Sequence, residues 1–233
     1  MLRSWNDLPD YMKCEEVQFY YKILQKKKAS LVLKRIFDVV MGIFFLIILA
    51  VPMVVIAVMI KFDSKGPVFY RQERVTAYGK KFKIHKFRTM ADHSDKMGTA
   101  ITVENDIRIT KTGKKLRDYR LDEIPQLFDV LAGNMSFVGT RPEAVKYVKK
   151  YTKEMYATLL LPAGITSEAS IQYKDEAKLL VEEKNIDRVY VEKILPEKMK
   201  YNLDCIRNFS FFGDIWIMVK TVAAVVRQEK KVW

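Results

Sequence analysis

The stretch VVMGIFFLIILAVPMVVIAVMI, residues 39–60, contains no charged side chain. As a helix rising 1.5 Å per residue it would be about 33 Å long, enough to cross the hydrocarbon core of a bilayer. It begins too far into the chain for a signal peptide and lacks an A-x-A cleavage pattern, so we expect it to be retained. The run therefore predicts a membrane anchor, which we bound at residues 34–61.

Pro52 lies past the middle of this run and predicts a kink or break near residues 50–52. Both flanks are basic, so the asymmetry that orients a spanning helix is missing. Re-entry at Pro52 would keep both flanks beside the anionic cytoplasmic leaflet, and we favour it. A kinked single-pass helix stays open, because transmembrane helices tolerate proline. The basic residues nearest the run are Lys26, Lys27, Lys28, Lys34, Arg35, Lys61 and Lys65.

Outward from the anchor, we expect residues 1–33 to form an N-terminal extension with a short amphipathic helix and residues 62–233 to form a domain on the cytosolic side. The segments around Tyr78-Gly79 indicate a hairpin or two short extended segments, and residues 91–108 indicate a long loop. Two helical patterns follow, one ending near Arg120 and one starting at Asp122 with Gly133 as its stop. The predicted fold class is α+β, mostly helical.

Two amphipathic helices are predicted towards the C-terminus. One runs from Pro142 to about Leu159, with an apolar side made by Val145, Val148, Thr152, Met155 and Leu159. The other has Phe212, Ile215, Trp216, Val219, Val222 and Val226 on one face. This last face fits either the protein core or the membrane interface.

Composition narrows the function classes. The 233 residues are 49% hydrophobic, and their formal net charge of +13 suits an anionic partner such as a phosphorylated substrate, an anionic membrane or nucleic acid. Cys14 and Cys205 form no metal-binding or disulfide pattern. Only His85 and His93 are present, so acid–base chemistry falls to carboxylates.

The remaining chemistry centres on Asp122-Glu123, around which the segments KFRTM, RDYRLDEIPQL and SFVGTRPEA concentrate basic residues. Guanidinium groups bind phosphate oxygens bidentately. A carboxylate kept ionised at a helix start, near cations, can attack phosphorus and form an aspartyl phosphate. Alone, however, an Asp-Glu pair is usually a helix cap. The basic residues that we predict to bind substrate phosphate are Lys86, Arg88, Arg117 and Arg141.

The segments KRIFD, KGPVFYRQERV, KFRTM, NDIRIT, RLDEIPQLFDVLAGNMSFVG, TRPE and PAGIT, between Lys34 and Gln172, resemble the bacterial sugar transferases. These are monotopic polyprenyl-phosphate phosphoglycosyl transferases. The resemblance implies a re-entrant helix-break-helix anchor turning at Pro52, with amphipathic interfacial helices. Ile107, Thr140 and Ser167 depart from the family pattern in loops that could contact the sugar.

The resemblance also implies a reaction. Asp122 would attack a UDP-sugar, release UMP and pass the sugar 1-phosphate to undecaprenyl phosphate, while Glu123 would share Mg²⁺ binding with Asp122 and deprotonate the acceptor. Arg117 and Arg141 would hold phosphate. The expected location is the cytosolic face of the bacterial inner membrane, with no nucleic-acid partner and a homodimer left open. The rival hypothesis is a membrane-tethered basic module that binds anionic lipid or nucleic acid without catalysis.

Overall fold

A computed structural model describes residues 2–91, 106–174 and 186–229. Most of the predicted loop at residues 91–108 lies outside these residues. The described part is mainly helical and contains two small sheets, as the predicted α+β class requires. The helices are α1 (Glu15–Gln25), α2 (Lys28–Asp63), α3 (Lys111–Asp118), α4 (Gln126–Leu131), α5 (Val145–Val148), α6 (Glu168–Gln172), α7 (Ile186–Val189), α8 (Leu195–Arg207) and α9 (Phe211–Glu229).

Helix α2 contains the apolar run and is longer than the predicted anchor. In the described part of the chain, it alone is long and apolar enough to cross a membrane, by length and composition. Only 17% of its most apolar window is buried, far less than a core helix of a soluble protein would show. Its exposed residues are almost all apolar, which fits contact with lipid. They include Val40, Ile43, Phe44, Ile47, Ile48, Val51, Val54, Val55, Val58, Met59 and Phe62.

The predicted break at Pro52 does not appear as an interruption of the helix, since α2 continues through it. A proline removes one hydrogen-bond donor, and a helix can absorb that loss by bending without ending. Helix-break-helix geometry is therefore not confirmed, and re-entry stays a prediction.

Both ends of α2 contact the rest of the protein. Near its start, the Arg35 guanidinium donates to the carbonyls of Val130 and Leu131 at 2.7 and 3.0 Å. At its other end, Asp63 accepts a hydrogen bond from the backbone N–H of Thr112 at 3.3 Å. The helix thus lies along the protein body instead of projecting from it.

The predicted hairpin is confirmed. Strands β1 (Phe69–Val75) and β2 (Lys81–Phe87) pair antiparallel, and the turn between them contains Tyr78 and Gly79, both with positive φ. A second sheet pairs β3 (Met135–Val138) with β4 (Ala163–Thr166) in parallel. A Cβ on Gly164 would lie 2.2 Å from backbone atoms of Gly139, so the close approach of the loop after β3 requires glycine there.

The predicted extension at residues 1–33 packs into the main core. Val17 and Leu24 of α1 have no exposed surface, and Tyr20 donates a 2.6 Å hydrogen bond to Glu154. The single amphipathic helix predicted after Pro142 is wrong. The chain there forms α5 and a separate 3₁₀ helix, Glu154–Leu160. Valine, tyrosine and threonine are weak helix formers, so contacts with α1 can override the apolar period.

The predicted face of the C-terminal helix is exposed. Phe212, Trp216, Val219 and Val222 keep half or more of their surface accessible, whereas Ile217 on another side of α9 is buried. Core packing of this face is therefore excluded for those four residues, and an interfacial position is the alternative that remains. Ile215 is half-buried, and the side chain of Val226 lies outside the described part.

Candidate active site

The acidic pair lies in a 3₁₀ turn, Leu121–Glu123, that joins α3 to α4. The sequence predicts a helix starting at Asp122, but α4 begins only at Gln126, after Pro125. The N–H groups of Glu123 and Ile124 donate to the carbonyls three residues back, those of Arg120 and Leu121, so the pair lies in a tighter turn that precedes the α-helix. Arg120 enters the turn with a left-handed backbone, φ 57°, and both carboxyl side chains then point into the protein. Asp122 and Glu123 are 8% and 9% exposed.

Strand β2 brings Lys86 to the pair. Its Nζ lies 2.7 Å from Glu123 Oε1 and 4.0 Å from Asp122 Oδ2. The preceding residue, His85, is fixed by Asp129, whose carboxylate accepts from the His85 backbone N–H and contacts Nδ1, each at 2.8 Å. This tether holds the strand where Lys86 reaches both carboxylates.

Arg141 reaches the pair from the loop after β3. Its Nη2 donates to Glu123 Oε1 at 2.6 Å, and its Nη1 lies 3.4 Å from Oε2. Glu123 is therefore held between two cations, Lys86 and Arg141. Of the predicted site residues, these three and Asp122 form one cluster.

The two carboxylates differ in acidity. Burial raises the pKa of Asp122, although the charge of Lys86 acts against this. Burial acts the same way on Glu123, but Arg141 and Lys86 outweigh it and hold the pKa of Glu123 well below its ordinary value. The site therefore stabilises the charge of Glu123, whereas burial disfavours the charge of Asp122.

The other two predicted phosphate ligands lie elsewhere. Arg117 donates from Nε to Thr89 Oγ1 at 2.8 Å, and its charge acts on Asp122 without a hydrogen bond to it. Arg88 is 5% exposed and donates to the carbonyls of Ser64 and Lys65, just after α2. These contacts fix the end of the apolar helix and do not involve the acidic pair, so a phosphate-binding role of Arg88 stays a prediction.

A cavity of about 560 Å³ adjoins the cluster. Its charged lining includes Glu123 and Arg141, together with Arg74 and Arg120. Its apolar lining includes residues of the two helices with exposed apolar faces, namely Phe45 and Leu49 of α2 and Ala224 and Val225 of α9. Asp122 is not part of the wall, whereas its neighbour Glu123 is. The site suits a molecule that has both an anionic and an apolar part.

Three further residues of the cavity wall escaped the sequence reasoning: Glu143, Tyr190 and Lys198. Glu143 ends the quoted motif TRPE, which could have flagged it. Tyr190 and Lys198 lie beyond the motif-bearing stretch and have no local signal. In contrast, Ile107, Thr140 and Ser167 do not line this cavity, so the expectation that they contact a sugar there is not supported.

The residues predicted to hold Mg²⁺ are Asp122 and Glu123. Among the described residues, no group of three or more His, Cys, Asp or Glu side chains could hold a metal ion. Mg²⁺ is commonly bound by one or two carboxylates together with substrate phosphates and water. The pair fits Mg²⁺ in that shared form, with the phosphates completing the coordination.

Comparison with known proteins gives consistent matches. A sequence model described as bacterial sugar transferase matches residues 29–228. The chain is 38% identical over 199 residues to the UDP-glucose:undecaprenyl-phosphate glucose-1-phosphate transferase of Klebsiella pneumoniae, covering 83% of this chain and 40% of that protein. It is 32% identical over 198 residues to the UDP-N-acetylgalactosamine-undecaprenyl-phosphate N-acetylgalactosaminephosphotransferase of Aeromonas hydrophila, covering 83% and 44%.

A third relative is comparable in length. The chain is 32% identical over 201 residues to an uncharacterized sugar transferase of Bacillus subtilis (strain 168), covering 85% of this chain and 90% of that protein. The chain thus spans less than half of the first two relatives and most of the third.

Proposed function

Because the chain belongs to the bacterial sugar transferase family, we propose that it transfers a sugar 1-phosphate from a UDP-sugar to a membrane polyprenol phosphate such as undecaprenyl phosphate. The names of the Klebsiella and Aeromonas relatives describe transfers of this kind. The observation that carries the proposal is the cavity itself, where the Glu123–Arg141 ion pair and the apolar side chains of α2 and α9 line one space. A nucleotide sugar needs the charged part, and a polyprenol needs the apolar part.

In the first half-reaction, an Asp122 carboxylate oxygen attacks the sugar-bearing phosphorus of the UDP-sugar. The new O–P bond forms as the bond to the bridging oxygen breaks, and UMP leaves with that electron pair. In the second, a phosphate oxygen of the polyprenol phosphate attacks the same phosphorus and displaces Asp122. The product is a polyprenyl diphosphate sugar, and the carboxylate is regenerated. The raised pKa of Asp122 supports this role, because weak solvation makes a carboxylate a better nucleophile.

Lys86, Arg120 and Arg141 supply positive charge for the diphosphate, and Arg117 adds charge beside Asp122. A Mg²⁺ ion held by Asp122 and Glu123 would neutralise charge on the diphosphate and on the leaving group.

We assign Glu123 the orientation of Lys86 and Arg141, because its Oε1 lies 2.7 Å from Lys86 Nζ and accepts from Arg141 Nη2 at 2.6 Å. Proton removal from the acceptor by Glu123 stays a prediction.

We also propose that α2 enters and leaves the same, cytosolic face of the bacterial inner membrane. Both of its ends contact the body that contains Asp122, and a straight span would draw part of those contacts into the bilayer. Single cysteines near residues 30 and 65 should react with an impermeant reagent from the same side in sealed vesicles. Labelling from opposite sides would establish a spanning helix.

The reaction is tested in nanodiscs that contain undecaprenyl phosphate, with Mg²⁺ and a panel of UDP-sugars, by following UMP release. Asp122→Asn should lower the rate by about 10³-fold or more, because it removes the nucleophile. Asp118→Asn, an exposed carboxylate at the end of α3, is the matched control and should keep the wild-type rate.

Full UMP release by Asp122→Asn would remove the nucleophile assignment. The absence of release by the wild-type protein on every sugar would instead favour a non-catalytic, membrane-tethered basic module, whose binding would depend steeply on salt.

A further inference from the structure

A buried polar cluster lies on the cavity wall apart from the acidic pair. The Tyr190 hydroxyl donates to Glu143 Oε1 at 2.5 Å, Lys198 Nζ donates to the Tyr190 hydroxyl at 3.1 Å, and Lys198 Nζ lies 3.7 Å from Glu143. All three residues are buried: Glu143 is 7% exposed, Tyr190 3% and Lys198 5%. Burying the Glu143 carboxylate and the Lys198 ammonium group costs free energy unless both charges are paired and hydrogen-bonded. These partners meet at the wall of a cavity that can hold a ligand.

The backbone that presents Tyr190 is unusual. The segment Tyr190–Ile194 is a π-helical turn between α7 and α8, and Pro196 follows in the first turn of α8. Proline cannot donate to the preceding turn, and a widened turn accommodates that loss. π-turns of this kind occur frequently at functional sites. Tyr190 opens the turn and faces the cavity.

Arginines connect the cluster to the acidic pair. Arg141 binds Glu123, and Arg74 Nη1 donates at 3.3 Å to the carbonyl of Pro142, the residue between Arg141 and Glu143. Burial lowers the pKa of the Arg74 guanidinium, and the charges of Glu143 and Tyr190 act against this. The cavity wall therefore runs from Glu123, through the guanidinium groups of Arg141 and Arg74, to the Glu143–Tyr190–Lys198 cluster. A ligand whose phosphates lie at Arg141 would have an adjoining group near the cluster.

We propose that Glu143, Tyr190 and Lys198 bind hydroxyl groups of the sugar and thereby select which UDP-sugar is used. This inference rests on the proposed function. A sugar hydroxyl both donates and accepts, and the cluster offers a carboxylate acceptor, an ammonium donor and a phenol that does both. Sites built to bond a hydroxyl reject analogues that lack it or misplace it.

The position of the cluster along the chain favours the sugar over the uridine. The quoted motifs end before Tyr173, and the relatives that share the diphosphate chemistry are named for different sugars. Two of the three cluster residues, Tyr190 and Lys198, lie outside those motifs. The positions that do depart from the motifs, such as Ile107, lie away from the cavity.

The test uses Tyr190→Phe, which removes one hydroxyl and keeps the ring. Tyr20→Phe is the matched control, since the Tyr20 hydroxyl also donates to a glutamate, Glu154, and accepts from a cation, Arg207, in the same hydrophobic core. Tyr20 does not line the cavity. Both variants are assayed in nanodiscs with UDP-glucose, UDP-galactose and their N-acetylamino counterparts, alongside inhibition by UDP and thermal unfolding.

For Tyr190→Phe we expect kcat/KM with the preferred sugar to fall about 10-fold or more, and the preference over its epimer to shrink by a similar factor. The inhibition constant of UDP should stay within about twofold, because UDP lacks the sugar. Glu143→Gln should shift the same preference. Tyr20→Phe should leave both the preference and kcat/KM unchanged.

Three results would overturn the inference: an equal loss of affinity for UDP and UDP-sugar, unchanged sugar preference in Tyr190→Phe, or equal losses in both phenylalanine variants that follow their loss of stability. In each of these cases the wild-type enzyme still releases UMP in an Asp122-dependent way, so the proposed function survives. A wild-type protein that turns over no UDP-sugar would remove the proposed function and this inference together.

Discussion

Replacing Glu123 by glutamine should destabilise the protein much more than replacing Asp122 by asparagine. Glu123→Gln removes the anion that lies 2.7 Å from Lys86 Nζ and 2.6 Å from Arg141 Nη2, which leaves two cations without their shared counter-charge. Removing one partner of a fully buried ion pair costs roughly 3–5 kcal/mol. The Arg141 side chain keeps 32% of its surface exposed, so water screens part of this loss. We expect a cost of about 2–3 kcal/mol.

Asp122→Asn should behave otherwise. Its closest cation, Lys86 Nζ, is 4.0 Å away, and burial raises the pKa of Asp122. The native protein therefore holds this charge against a desolvation penalty, which the neutral amide removes. We expect stability to change by less than about 1 kcal/mol or to increase, while activity is lost.

Thermal unfolding of both variants in one detergent measures the difference. In a protein of this size each kcal/mol shifts the midpoint by about 2–4 °C, so Glu123→Gln should unfold about 2–12 °C below Asp122→Asn. Asp118→Asn serves as the control for amide substitution at an exposed site. An unfolding midpoint of Asp122→Asn at or below that of Glu123→Gln would refute the assignment of Glu123 as the ion-paired member.

Three further predictions concern acidity, backbone contact and the end of the apolar helix. UMP release should fall as pH drops through the raised pKa of Asp122, because the protonated acid is no nucleophile. The stability that ionised Glu123 contributes should be complete above its ordinary pKa of 4.5 and should be lost only as pH falls through its lowered pKa in the folded protein. Unfolding midpoints measured across pH test this second expectation. Gly113→Ala would place a Cβ 2.0 Å from the Thr89 carbonyl oxygen and should destabilise the protein by several kcal/mol, about 3 or more, by thermal unfolding. Arg88→Met should increase hydrogen exchange at the end of α2 without a comparable loss of affinity for UDP, and a selective loss of UDP binding would support the phosphate role first predicted for it.

Much of the site could be predicted because its chemistry is local in sequence. Asp122 and Glu123 are adjacent, and Lys86 and Arg141 lie in short motifs whose residue types already indicate phosphate chemistry. Arg88 shows the limit of this reasoning: it lies two residues from Lys86, but the strand ends between them and its guanidinium donates to backbone carbonyls. Residue type predicts what a side chain can bind, whereas only the fold decides which partner it meets.

The sequence by itself determined the apolar helix, the hairpin and the acidic pair, because an uncharged run, a turn signal and a charged dipeptide need no distant partner to be recognised. Tertiary structure alone decided that both ends of α2 contact one body, that Glu123 is held between two cations while Asp122 is not, and that Tyr190 and Lys198 join Glu143 at the cavity wall. Ion pairing and burial depend on atoms brought within a few ångströms by distant parts of the chain, and no local pattern encodes those distances.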